Sequence, residues 1–328
     1  MIKEFHLFAG IGGGIYGGKL LGHQCIASVE IDSYCNEVLA QRQKDGWMEK
    51  FPQYEDLCAL DGKPFEGSFD VLCGGFPCQA FSTAAHGKNI EAKNLWGEML
   101  RFTMESNAPI VFGENVVLRA IETAKKDLEA LGYRVARCRL SCADIGADHQ
   151  RNRFWLLAVK DDSVFEKIAK HVGSLPKLVG DFWTQSPTNA GIEGRVKNRR
   201  EQLKGVGNAQ SPWAAATAFR ILVNRHINGN IDKKEQVSPE ELDAVFVKKS
   251  TWISNNFDIE GFVHTPTTMA NYSAPSMMKH QGCRNFKKVF DQPTPLNAEY
   301  LMGFPIGASS PLSVEFENIE KWSKQNEH

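Results

Sequence analysis

The chain has 328 residues, 42% hydrophobic and 23% charged, which suffices for one large core plus a smaller second lobe and excludes a disordered or fibrous protein. With 38 Lys and Arg against 39 Asp and Glu there is no global basic field, so any nucleic-acid surface must be local. Eight cysteines in a chain of this length, without an apolar leader in residues 1–6, point to free thiols in a reducing, cytoplasmic compartment, and no apolar run is long enough to span a bilayer.

Residues 4–22, EFHLFAGIGGGIYGGKLLG, predict a short strand, a glycine-rich turn and a helix beginning near Gly14, with the next strand in residues 23–32. This is the βαβ start of a nucleotide-type site. Gly10, Gly12 and Gly13 let the backbone approach a ligand closely, and the helix amino terminus behind them offers N–H groups. Glu30, ending the second strand, is placed to accept hydrogen bonds from both hydroxyls of a ribose. The turn lacks the lysine and serine of a triphosphate loop. Residues 33–50 carry apolar positions at helical spacing after an Asp-Ser start. Asp56 and Leu57 fall at a third strand end, where they suit either an adenine amino group and ring or an ordinary surface turn.

Residues 69–82, FDVLCGGFPCQAFS, read as a buried strand over 69–73, a sharp turn at Gly74 and Gly75, and a loop stiffened by Pro77 that presents Cys78 at a strand's carboxyl end. Such a cysteine is a nucleophile only with local help, since a free thiol is about three per cent ionised at neutral pH. Alone, the stretch favours a buried structural cysteine, since unpaired cysteines are usually buried and inert. Residues 94–106 resume helical spacing. Residues 109–117, PIVFGENVV, form a strand that is apolar except for Glu114 and Asn115, and a carboxylate there needs a partner or a task. An amphipathic helix over 123–132 and strands over 133–140 and 154–159 follow. Arg151 and Arg153, two apart, would point to one side of an extended segment. Metal is not expected: the closest cysteine pair, Cys138 and Cys142, has neither zinc spacing nor a second pair nearby.

Taken together, FAGIGG, GGFPCQAFS, GENV, HQRNR and GVGNAQSPWAAATAFRIL, in that order from Phe8 to Leu222, resemble the DNA cytosine-5 methyltransferase family, in particular its compact phage and prophage members. The resemblance implies an α/β fold, a doubly wound Rossmann-like sheet with a small DNA-recognition lobe, and S-adenosylmethionine as cofactor. It implies that Cys78 adds to carbon 6 of a cytosine flipped out of double-stranded DNA, with Glu114 bonding ring nitrogen 3 and the exocyclic amine. Arg151 and Arg153 would hold the base carbonyl and nearby phosphates. Around the cofactor the resemblance sets Phe8, Gly10, Ile11, Gly12, Gly13, Glu30 and Ile31. Asp56, Leu57, Phe76, Pro77, Asn208 and Ala209 complete that shell. Gln79, Ser82, Asn115 and His149 would face the substrate. A relative acting on RNA or transferring another group to pyrimidine carbon 5, and a decayed DNA-binding relative, remain the alternatives.

Two departures from the family pattern stand out. Asp148 and His149 replace the usual Pro-Gln ahead of the arginines, and residues 160–204 are short for a recognition region. The expected organisation is therefore a catalytic domain over 1–226, a polar linker and helix start over 227–244, and a recognition lobe over 245–328. Short strands are expected within 252–263, and an irregular hydrogen-bonding surface over 264–288 that includes Lys279 and Arg284. A basic run over 195–204 could track phosphates or be a solvated face. The protein is expected to act as a monomer.

Overall fold

The computed structural model describes residues 1–77, 95–187, 198–265 and 274–314, with Tyr272, Ile319 and Trp322. Cys78, Gln79 and Ser82 lie outside the described residues. The elements in chain order are β1 (Lys3–Leu7), α1 (Gly13–Leu20), β2 (Gln24–Val29), α2 (Ser33–Lys44), β3 (Gln53–Tyr54), β4 (Val71–Gly75), α3 (Leu95–Glu105), β5 (Ile110–Asn115), α4 (Leu118–Ala130), β6 (Arg134–Leu140), β7 (Arg153–Val159), α5 (Asp162–Ser174), β8 (Leu178–Val179), α6 (Arg199–Asn208), α7 (Pro212–Ile227), α8 (Pro239–Asp243), β9 (Phe246–Val247), α9 (Trp252–Asn256), α10 (Gln281–Phe290) and α11 (Pro295–Met302).

Seven strands form one sheet in the order β3-β2-β1-β4-β5-β7-β6. β7 runs antiparallel to both its neighbours, and the other pairings are parallel. The strand order reverses between β1 and β4, which puts a crevice outside their carboxyl ends, where open α/β sheets bind ligands. Side-chain alternation splits the core in two. Phe5, Leu7 and Leu72 face a layer with α3 and α4, while Val71, Cys73 and Phe112 face α1, α5 and α7. α7 is buried on all sides, as an interior helix with an almost wholly apolar or small-residue sequence must be.

Four expectations need correction. Gly74 and Gly75 do not turn the chain: they sit inside β4, paired with Gly113 and Glu114 of β5, and neither has a positive φ. Glycine is needed there because a β-carbon on Gly75 would meet Gln210 Nε2 at 2.6 Å and Glu114 Oε2 at 2.8 Å. The segment beginning at Trp252 is helix, not strand, started by a reciprocal cap between Thr251 and Ser254. Within 264–288, α10 is a regular helix anchored by Phe286, which stacks on Tyr272 at 4.2 Å. The linker is pinned: the buried Arg225 guanidinium bonds Lys234 O, Gln236 O and the Glu241 carboxylate.

The C-terminal third also divides differently. α11 packs on α6, and Tyr300 Oη donates to Trp183 O while Trp183 Nε1 donates to Tyr300 O. Gly303 exists because a β-carbon would meet Trp213 at 2.6 Å. Residues 295–314 are thus part of the main core, and the described residues from α9 to α10, which remain the candidate lobe, share its hydrophobic cluster through Ile253, Val263, Tyr272, Cys283 and Phe286. Residues 303–314 form a strap fastened by Arg42 of α2, fully buried, which donates to Gly307 O at 3.1 Å and to Leu312 O, pairs with Asp45 at 2.9 Å and lies over Trp47. Replacing Arg42 by Met keeps volume but strands those acceptors in the interior. Arg42→Met is expected to lose about 3–5 kcal/mol of stability, the cost of breaking one side of a buried ion pair, read as a lower urea midpoint. A loss under about 1 kcal/mol would mean the strap is held by packing alone.

Candidate active site

A cavity of about 350 Å³ opens at the carboxyl ends of the central strands and is roofed by the corner between α6 and α7. The chain leaves β1 through Phe8 and Gly10, both at positive φ, and enters α1 at Gly12 with φ 91°. A β-carbon on Gly13 would collide with Gln210 O at 2.2 Å, so the turn and the roof touch backbone to backbone. Glu30 Oε2 accepts from Gly10 N at 2.7 Å and Oε1 from Asp32 N at 2.8 Å. Each oxygen keeps a second lone pair, so the oriented carboxylate fits two neighbouring ribose hydroxyls. Ile31 stands beside it on the cavity rim, 79% exposed, an apolar side chain free to cover a ring. Asp32 caps α2 and takes an ion pair from Lys204 of the roof at 2.6 Å. This donor and acceptor set suits a nucleoside-bearing cofactor such as S-adenosylmethionine.

Glu114 lies at the β4–β5 end of the same cavity. Burial raises its pKa, and the nearby Arg153 and Arg151 only partly offset that rise. Arg153 Nε is 2.8 Å from Oε1, an ion pair whose alignment falls short of a hydrogen bond. Gln210 Nε2 approaches Oε2 at 3.4 Å. Arg151 has a different job from Arg153: its Nη2 donates to Gly207 O at 2.8 Å and Ala209 O at 2.7 Å, tying the arginine segment to the roof. Burial, followed by Arg153, brings its pKa down to about 10. Asn115 Nδ2 donates to Phe76 O at 2.7 Å and its Oδ1 accepts from Val117 N, so this side chain fixes the backbone just ahead of Pro77.

The cavity gathers Phe8, Gly10, Gly13, Glu30, Ile31, Pro77, Glu114, Asn208 and Ala209. It does not include Ile11, Gly12, Asp56, Leu57 or Phe76. Ile11 is buried against Gly205. Gly12 faces Leu39 and Met48, Asp56 caps a turn through Cys58 N, and Leu57 and Phe76 join the α3 side of the core. Lys279 and Arg284 are exposed, and Arg284 donates to Met278 O and Lys279 O, which closes its own turn. Of the basic run, Arg199–Lys204 is the start of the roof helix α6. Sequence reasoning missed Gln210, whose backbone meets Gly13 and whose side chain reaches Gly14, Gly75 and Glu114. Its only signal was its place directly after Asn208 and Ala209.

The family model for C-5 cytosine-specific DNA methylase matches residues 2–305, and the chain belongs to that family. The type II methyltransferase M.HhaI of Haemophilus parahaemolyticus is 31% identical over 170 residues, covering 49% of this chain and 50% of the relative. M.CviJI of Paramecium bursaria Chlorella virus IL3A is 29% identical over 180 residues, covering 52% and 47%. The chain thus spans about half the length of the curated relatives it matches. Among solved structures, the Dnmt2 methyltransferase of S. pombe aligns at 18% identity and a TM-score of 0.42, over 61% of this chain and 64% of that one. Among the described residues no helix is long and apolar enough to cross a membrane.

The Asp148-His149 departure now has a physical setting. Asp148 O accepts from Val263 N at 2.7 Å and its Oδ1 from Thr251 Oγ1 at 2.7 Å, while Thr265 Oγ1 donates to Gln150 O. The pair therefore holds the start of the candidate lobe against the arginine segment. His149 is fully buried with neither ring nitrogen partnered among the described residues, and burial together with Arg151 and Arg153 presses its pKa to about 3. It packs as a neutral ring and is not itself one of the residues that line the cavity. Burial, opposed by the Thr251 bond, raises the Asp148 carboxyl from 3.8 to about 6. A raised folded pKa means stability that is complete below pH 3.8 and lost as pH climbs through 6. Asp148→Asn keeps an acceptor for Thr251 and removes the titration. The melting-temperature difference, variant minus wild type, is therefore expected to grow between pH 4 and pH 7.5, and a difference constant across that range would count against this assignment.

Proposed function

We propose that the chain is a DNA methyltransferase that moves a methyl group from S-adenosylmethionine to carbon 5 of a cytosine flipped out of the duplex, through a covalent adduct of Cys78. The observation that carries this reading is the Glu114 carboxyl, which lines the cavity end with its pKa raised by burial despite the neighbouring arginines. Attack at carbon 6 pushes negative charge onto ring nitrogen 3, and a positioned carboxyl that holds or shares a proton there stabilises that charge. Arg153, at 2.8 Å, tempers the rise so that the group can also accept from the exocyclic amine. Glu30, Ile31 and the Gly10–Gly13 turn hold the nucleoside end of the cofactor, which supplies an electrophilic methyl when bound. Gln210 and Arg151 keep the roof closed over the site and exclude water from it. Cys78 follows Pro77, a cavity-lining residue whose approach Asn115 fixes. The base that removes the carbon 5 proton is not assigned.

Bisulfite or nanopore sequencing of DNA from cells expressing the protein tests the reading directly, and is expected to reveal methylated cytosine within one recurring motif. Unmodified DNA alongside methylated RNA would move the substrate. Glu114→Gln keeps size and hydrogen bonding but not the titratable proton. It is expected to lower turnover by about two or more orders of magnitude with a smaller effect on DNA binding, whereas equal losses would make the residue structural. Cys78→Ser is expected to abolish transfer and the covalent trapping of 5-fluorocytosine DNA while leaving cofactor affinity near wild type. Near-normal turnover in that variant would end the adduct mechanism.

A further inference from the structure

The floor of the cavity holds a polar cluster that methyl transfer does not use. Glu4 and His6 alternate along β1 and so share the face beneath α1, and Cys73 is the register partner of His6 on β4. All three are buried and all three line the cavity. One donor atom from each lies within 4.8 Å of the other two. His6 Nε2 and Glu4 Oε2 are 2.9 Å apart, a separation that serves a hydrogen bond and equally two ligands of one ion with bonds of about 2.0–2.3 Å. The other carboxylate oxygen accepts from His23 Nδ1 at 2.6 Å, the outer support that ligating carboxylates characteristically have. The helix above leaves room for the cluster: a β-carbon on Gly18 would fall 2.1 Å from Glu4 Oε2, and one on Gly14 would fall 3.2 Å from His6 Nδ1.

We propose that Glu4, His6 and Cys73 bind a divalent transition-metal ion of the zinc class, with a fourth position open to the cavity. A thiolate, an imidazole and a carboxylate select a borderline-soft ion over magnesium or calcium. Binding transfers the Cys73 thiol proton to solvent and involves no redox change, and the resulting dication, thiolate and carboxylate sum to zero charge, the arrangement a low-dielectric interior tolerates. Close cysteine pairs, the usual sequence sign of zinc, are absent because adjacent strands supply these ligands. The ion would cross-link β1 to β4 behind the crevice, and the inference is independent of the transfer reaction.

The test uses the full chain, stripped with a chelator and titrated with Co²⁺. The expected result is one cobalt per chain, with tetrahedral visible absorption and a near-ultraviolet sulfur-to-cobalt band, both displaced by Zn²⁺. Cys73→Ser should remove the near-ultraviolet band, and the exposed-thiol variant Cys58→Ser should keep it. His6→Gln leaves every thiol in place and should weaken cobalt binding by about 100-fold or more, since loss of an outer-shell partner alone costs about 10–100-fold. It also decides the matter if Cys73→Ser does not fold. A wild-type protein that takes up no cobalt, or a band that survives in Cys73→Ser or is undiminished in His6→Gln, would overturn the proposal and leave a hydrogen-bonded cluster only.

Discussion

The site depends on a contact with no room for a β-carbon. The turn into α1, the end of β4 and the corner between α6 and α7 converge on Gln210, whose carbonyl would sit 2.2 Å from a β-carbon on Gly13 and whose amide would sit 2.6 Å from one on Gly75. Because the two glycines are bare, a residue more than a hundred positions downstream reaches across the cavity to the Glu114 carboxylate. The same logic continues along α1, where Gly17 admits the backbone of α7 and Gly18 admits the carboxylate of Glu4. Glycine inside a helix costs roughly 1 kcal/mol relative to alanine, and here that local cost is offset by close packing of α1 between the sheet and α7. The glycine-rich stretch is therefore as much a packing surface as a ligand cradle.

The second organising constraint is the number of charged groups that the fold takes out of water. Each is provided for by a different device. Burial drives the Glu4 carboxyl upward, but His23 and His6 outweigh it and hold the group at about 2. Arg42, Arg151 and Arg225 spend their donors on backbone carbonyls of segments that would otherwise be loosely attached. At Glu114, as at Asp148 and Glu299, burial wins over the partners, and one Glu114 oxygen is left without an aligned donor. Glu114 differs from those two in lining the cavity, which makes it the one placed for chemistry.

Local patterns were legible in the sequence, and long-range contacts were not. The β1 turn, the helix behind it and Glu30 follow from residues within a few positions of one another, and so did the strand carrying Glu114. The misreadings have different causes. Gly74 and Gly75 looked like a turn because glycine is a turn residue, yet the distant Gln210 and Glu114 crowd Gly75 and Met99 crowds Gly74. Trp252 and Ile253 looked like strand because of their β propensity, and the cap from Thr251 and Ser254 overrode it. α10 went unseen because few of its ten residues are buried. Arg151 and Arg153 were paired by spacing, but spacing does not reveal that one faces the roof carbonyls and the other faces Glu114.

The C-terminal segment bears on how DNA reading can be joined to catalysis. Residues 295–314 are locked to α2 through Arg42 and Tyr34, whose hydroxyl donates to Ser309 O at 2.7 Å, and to α6 through Gln202, whose Oε1 accepts from Ser309 Oγ. The candidate lobe from α9 to α10 packs on the same hydrophobic cluster through Ile253, Val263, Cys283 and Phe286. That span is held from both sides. At its far end Pro293 O accepts from Arg199 of the roof helix, and near its start Val263 and Thr251 bond Asp148. Asp148 is three residues from Arg151, which grips the roof, and five from Arg153, which grips Glu114. The substitution of Asp-His for the family's Pro-Gln fits this arrangement: proline can offer neither the carboxylate that Thr251 needs nor any other side-chain acceptor, and a neutral buried histidine fills the space beneath the arginines without adding a charge to it.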